Sequence, residues 1–297
     1  MGGSTASTAR PLTRRLALAA VAPEIVKGKD EVATIRASGK TTRTTRAARV
    51  LAPVVLGIVV LAVWQAVTGS GVVSAYFLPS PVAIAGEFVG QVAHSSLLTF
   101  TGRTLVESLA GSALGIIVAL PLGYLVARKP LFSAAVEPYF AASQAIPAVA
   151  LAPLLVLWLG YGLFPIAILC ALLVFFPIYV TTVLGLQTLD REVLDAARMD
   201  GVSAASMLWY IEFPLAMPSV LAGVRNGLTL SVTGAVVGEF VMGGDGLGLL
   251  LNAQRDSVDT VGLFATLVML SALAIAMYLL VRLFERRVRA LVGLTEE

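Results

Sequence analysis

Charged residues are scarce in this chain: they make up 13% of 297 residues, against about 25% in an ordinary soluble domain. That shortage, with 58% hydrophobic residues, excludes a soluble globular protein and puts the chain in a membrane. There is one cysteine, Cys170, and one histidine, His94. A lone cysteine excludes an intrachain disulfide. His94 has no Cys, Asp or Glu at ligand spacing, so it reads as a surface histidine near an interface, and no metal site is expected. No nucleophile and base occur together. The net charge of +3 does not argue for nucleic acid, because the basic residues are clustered and the rest is apolar.

Ten of the 21 Lys and Arg residues fall in residues 1–49, beside only three acids and many Thr, Ser and Ala. This segment reads as a basic, disordered cytoplasmic tail. Arg14 and Arg15 precede an apolar stretch of six residues, too short for a signal-peptide core. Gly39-Lys40-Thr41-Thr42 has the end of a phosphate loop, but the required first glycine falls at Thr34 and no apolar strand precedes it. No ATPase phosphate loop is therefore expected in this chain.

Residues 50–297 form the membrane domain. Six apolar runs, at about 51–67, 104–127, 139–159, 163–184, 217–241 and 261–284, each approach the ~20 residues that cross a bilayer. The expected fold is all-α and polytopic, with six transmembrane helices. Between the first two runs, Pro81 can open a helix in an amphipathic segment reaching Arg103. Two runs carry bare faces: Gly111, Gly115, Ala119 and Gly123, then Gly223, Gly227, Ser231, Gly234 and Gly238. In lipid such faces let helices pack backbone to backbone. Pro147 and Pro153 interrupt the third run, and the carbonyls they free must be buried or line a wet cavity. With Glu239 in the fifth run, they are candidates for a translocation path, although Glu239 lies near an end where it can simply be wet. Arg225, close to the other end, reads as a packing or anchoring residue. If the N-terminus is inside, 18 of the 21 basic residues lie on the inner side, a clear positive-inside bias.

That topology puts residues 189–214 in the cytoplasm. Leu189, Val193, Ala196 and Ala197 give a thin apolar stripe, and Asp195 can pair with Arg191 and Arg198. Gly201 suits a left-handed cap and Ser203 an N-cap, while Pro214 is expected to stop the second helix. Asp195-Ala196-Ala197, three residues, Gly201, nine residues, then Ile211-Glu212-Phe213-Pro214 resembles the "EAA" signature of ABC importer permeases, with Asp195 in place of Glu and Phe213 in place of Leu. Leu78-Pro79-Ser80-Pro81 is similar to the sulfonate, nitrate and taurine branch, and Leu157-Trp158-Leu159-Gly160 resembles the turn that ends a proline-broken helix in the family. The resemblance covers about residue 76 to the C-terminus and implies a type I importer permease in a bacterial cytoplasmic membrane. It implies a homodimer, two ABC ATPase subunits gripping two coupling elbows, and an extracytoplasmic substrate-binding protein. The elbow residues Asp195, Ala196, Ala197, Gly201, Ile211 and Pro214 would then couple the ATPase to transport. The implied cargo is a small organic anion such as a sulfonate, taurine or nitrate; the alternative is a pyrimidine-type vitamin precursor. An ion-driven secondary transporter would need mid-membrane carboxylates and an inverted repeat. Neither is evident, and a membrane scaffold gives no reason for the elbow's spacing.

Overall fold

The computed structural model describes residues 46–292, and side chains within 51–287; the basic tail before residue 46 and the chain ends lie outside that range. Contacts divide the chain into two units, Met1–Leu61 and Ala62–Glu297. Among the described residues there are helices and turns but no strands.

Helix α1, Arg46–Gly69, carries the first apolar run and begins before the expected boundary. Helix α2, Pro81–Ala93, is capped by Ser80, whose Oγ accepts from Ala83 N at 3.2 Å. Helix α3, Ser96–Arg128, has 33 residues, so the second span starts well before residue 104. The separate amphipathic segment expected up to Arg103 therefore ends at His94, and the chain turns through Ser95 at φ 61°.

The third run is broken at Pro147, one of the two prolines expected to interrupt it. Helix α4, Pro130–Gln144, and the segment Ala148–Leu159, which ends in α5 (Ala152–Leu159), meet at 86°. The bend lies at Pro147, which is extended (φ −61°, ψ 120°) and opens a short 3-10 turn, Ala148–Leu151. Pro153 contributes no break. It sits in the first turn of α5, where a missing N–H costs nothing.

Helix α6, Leu163–Gln187, and helix α9, Phe213–Met242, complete the bundle centre with α3. The two glycine faces both meet α6. Gly111, Gly115 and Gly123 lie against Cys170, Val174 and Thr182, while Gly223, Gly227, Gly234 and Gly238 lie against Thr181, Val174, Leu173 and Ile166. Helix α11, Thr260–Val292, packs on α9 through Leu273, Met277 and Val281, which join Leu228 and Val232 in one apolar cluster. A short helix α10, Leu247–Asp256, fills the corner between them.

A side chain at Gly111 would overlap Cys170 Cβ and come within 2.6 Å of the Ala167 carbonyl oxygen. The carbonyl belongs to a helix backbone and cannot swing aside. Gly111→Leu is therefore expected to lower stability by about 1–3 kcal/mol or more, read as a fall in the melting temperature of the purified protein. Gly102→Leu, on the same helix with nothing within 4 Å of its added Cβ, is the matched control and should melt like the parent.

Candidate functional site

The elbow begins with helix α7, Arg191–Met199, capped by Asp190, whose Oδ1 accepts from Glu192 N at 2.9 Å. The helix buries Leu194 and leaves Val193, Ala196 and Met199 exposed, with Ala197 half-buried. The expected stripe is thus not the face turned into the protein: Leu194, outside that stripe, takes the anchoring role, Ala196 faces outward and Ala197 is half-buried. Of the two ion pairs expected, Asp195–Arg198 forms at 2.6 Å. Both side chains are exposed, so it adds at most about 1 kcal/mol.

Gly201 has φ 77°. Its N–H donates to Arg198 O at 3.1 Å and the Val202 N–H donates to Ala197 O at 3.3 Å. These two bonds make a Schellman cap, which needs the left-handed conformation that glycine adopts freely. Ser203 then caps helix α8, Ala204–Met207, accepting from Ser206 N at 3.2 Å.

Pro214 does not stop that helix. Helix α8 runs through one π-helical turn, Leu208–Glu212, directly into α9. The Phe213 N–H reaches back to Leu208 O. The wider turn moves the preceding carbonyls away from the proline ring, which would clash with them in a regular α-helix. Ile211 lies half-buried in this turn. The second arm of the elbow and the fifth span are one continuous rod.

Glu212, in the same turn, is buried. It meets Arg128 at the end of α3, with Nη2 2.6 Å from Oε1 and Nε donating to Oε2 at 3.1 Å. This fork ties the rod to α3. Neither Arg128 nor Glu212 was singled out from the sequence as a functional residue. The available signal was an acid isolated among apolar and aromatic residues.

At the other end of the bundle, Glu239 is fully buried, not at a wet helix end. Thr104 Oγ1 donates to Glu239 Oε1 at 2.6 Å and itself accepts from Leu247 N at 2.8 Å. The Gly248 N–H donates to Glu239 Oε2. The carboxylate therefore caps the start of α10, where free N–H groups and the helix dipole favour negative charge. Close approach also explains the glycines there, since a side chain at Gly246 or Gly248 would overlap Glu239. Glu239→Ala would leave the Gly248 N–H unsatisfied, at about 1–3 kcal/mol. The expected readout is faster protease cleavage within 243–248 and a lower melting temperature.

Arg225 is held from the side by α11: its Nη1 lies 3.0 Å from Glu285 Oε2, and its guanidinium sits 5.2 Å from the centre of the Tyr278 ring. Pro147 lines a cleft of about 580 Å³ at the α4–α5 bend, whereas Pro153 is exposed outside it.

Comparison with known proteins places these features. The family described as binding-protein-dependent transport system inner membrane component matches residues 111–290, which include the elbow, α6 and α9. The riboflavin transport system permease protein RibX of Chloroflexus aurantiacus is 43% identical over 79% of this chain and 87% of its own length. The formylaminopyrimidine transport permease protein ThiX of Halalkalibacterium halodurans is 32% identical over 77% of this chain and 91% of its own. The taurine transport system permease protein TauC of Escherichia coli is 28% identical over 77% and 85%. Among solved structures, the MetNI methionine ABC transporter in inward facing conformations aligns with a TM-score of 0.55 at 19% identity, covering 65% of this chain and 95% of that one. The likeness shows a shared fold, that of type I importer permeases. The chain belongs to the binding-protein-dependent transport system inner membrane component family, as a permease subunit of an ABC importer.

Proposed function

We propose that two copies of this chain form the membrane path of an importer whose ATP and Mg²⁺ are bound by two partner ATPase subunits, with an extracytoplasmic binding protein delivering the cargo. The observation that carries this reading is the elbow: a capped helix with Ala196 outward, joined without interruption to a span. In this reading the elbow faces the cytoplasm and α7 docks on the ATPase. When the ATPase pair closes on ATP, the elbows move. The continuous rod passes that motion to α9, and the Arg128–Glu212 fork passes it to α3. The path then opens outward, and hydrolysis resets it.

The cargo we favour is an aromatic heterocycle with ring amide edges rather than a sulfonate. The 43% identity to a riboflavin permease and the 32% identity to a formylaminopyrimidine permease exceed the 28% to a taurine permease.

The test is uptake into proteoliposomes by the chain assembled with the ATPase and binding protein of its gene neighbourhood. Riboflavin or formylaminopyrimidine uptake driven by ATP is the expected result; taurine uptake alone would overturn the cargo. Orientation is checked in the same preparation. A membrane-impermeant thiol reagent applied outside cells should label His94→Cys and leave Ser203→Cys untouched, and the reverse would overturn the topology.

A further inference from the structure

Helix α9 turns an exposed stripe away from α6, and that stripe is not apolar. Asn226, Leu230 and Thr233 lie on it, three to four residues apart and near the middle of the helix. Among the described residues, neither the Asn226 amide nor the Thr233 hydroxyl makes a hydrogen bond. The contrast is Ser271, exposed on α11, whose hydroxyl donates to Leu267 O at 2.9 Å. An unpartnered amide facing hydrocarbon costs several kcal/mol. This face therefore does not meet lipid tails.

Leu230 also lines the cleft at the α4–α5 bend. The cleft brings together aromatic rings at Phe140 and Phe176 with a polar group at Gln144, whose exposed amide is likewise without a hydrogen bond among the described residues. A broken helix at membrane depth is tolerated where its backbone is buried in protein or lines a water-filled cavity. Two independent features, an unpartnered polar stripe and a bent helix pair, thus converge on one space.

We propose that Asn226 and Thr233 of α9, together with Gln144, Phe140 and Phe176 at the bend, bound the translocation path and form a weak site for a flat aromatic heterocycle. The rings offer faces on which the cargo stacks. The Asn226 and Gln144 amides each present a donor beside an acceptor, which matches the edge of a ring amide. No charge is needed, and a site built from two neutral amides releases its cargo readily, as a conduit must. The cargo class rests on the heterocycle reading above; the position of the path does not.

The experiment uses the assembled complex in nanodiscs, with Cys170→Ala removing the native thiol. Asn226→Cys and Thr233→Cys should react with a charged methanethiosulfonate at least about tenfold faster than Ile275→Cys, because thiolate chemistry needs water. Ile275 is an exposed apolar residue of α11. Rates as slow as at Ile275→Cys would overturn the path and show that the stripe is sealed, for instance against the second copy. In proteoliposomes, Asn226→Leu should cut riboflavin uptake about tenfold, the loss of roughly one hydrogen bond, with Asn226→Gln retaining most of it. Unchanged uptake in Asn226→Leu would overturn the recognition role. If the wild-type complex imports taurine and no riboflavin, the cargo class falls, while the labelling rates still decide where the path runs.

Discussion

Ala197→Glu is expected to abolish the stimulation of ATP hydrolysis by loaded binding protein in the assembled transporter, while the variant still reaches the membrane. Ala197 is half-buried on the elbow helix next to exposed Ala196, so the outer surface there is almost bare backbone. A glutamate adds bulk and carries into the docked interface a charge that has lost its water, which is costly without a partner. Gly201→Val tests the same elbow through its turn instead of its surface. Nothing lies within 4 Å of an added Cβ at Gly201, so crowding plays no part. The cost comes from φ 77°, a conformation that strains a β-branched residue by about 1–3 kcal/mol. Gly201→Asn should be milder, because asparagine visits the left-handed region more readily. The measurement is ATP hydrolysis with and without binding protein. Full stimulation in both Ala197→Glu and Gly201→Val would remove the elbow from the mechanism.

The second large effect is expected at the Arg128–Glu212 fork. Removing one partner of a buried ion pair leaves the other uncompensated, at about 3–5 kcal/mol. The two ends are not equivalent. Side-chain exposure is 22% for Arg128 and 4% for Glu212. After Glu212→Ala, the long arginine can reach toward water, so the loss should fall at or below the low end. After Arg128→Ala, a carboxylate is stranded in the bundle, so the loss should be greater. The double variant Arg128→Met/Glu212→Leu removes both charges and should recover much of the stability. Its stimulated ATP hydrolysis should nonetheless stay below that of the parent, because α3 is no longer fixed to the rod by two oriented bonds. Equal melting temperatures for the two single variants would show that the pair is solvated rather than buried.

Some features could be read directly from local composition. Length and hydropathy are enough to place the long helices, since a run of about 20 apolar residues has few other stable outcomes in a bilayer. Gly201 and Ser203 were legible as caps because turn chemistry depends on the residue and its immediate neighbours. The glycine spacings on α3 and α9 announced close helix contacts, although not that both would press on α6. Reading failed where an interaction reached beyond a few residues. Val193 and Leu194 are adjacent and both apolar, and only the protein beneath α7 decides that Leu194 is the one buried. Pro214 looked like a stop signal by the rule for regular α-helices, but a π-turn over Leu208–Glu212 relieves the clash that the rule assumes.

The sequence by itself determined that this chain is an all-helical membrane protein with a helical elbow between two spans, because those properties follow from local periodicity, turn residues and the cost of charge in hydrocarbon. Tertiary structure alone decided what the polar residues do. Glu239 looked wet and is a buried cap because Thr104, 135 residues earlier, lies beside it. Glu212 looked incidental and is a structural tie because Arg128, 84 residues earlier, ends its helix at that point. An ionisable side chain in a membrane is tolerated where a partner meets it, and the partner's distance along the chain carries no local signature.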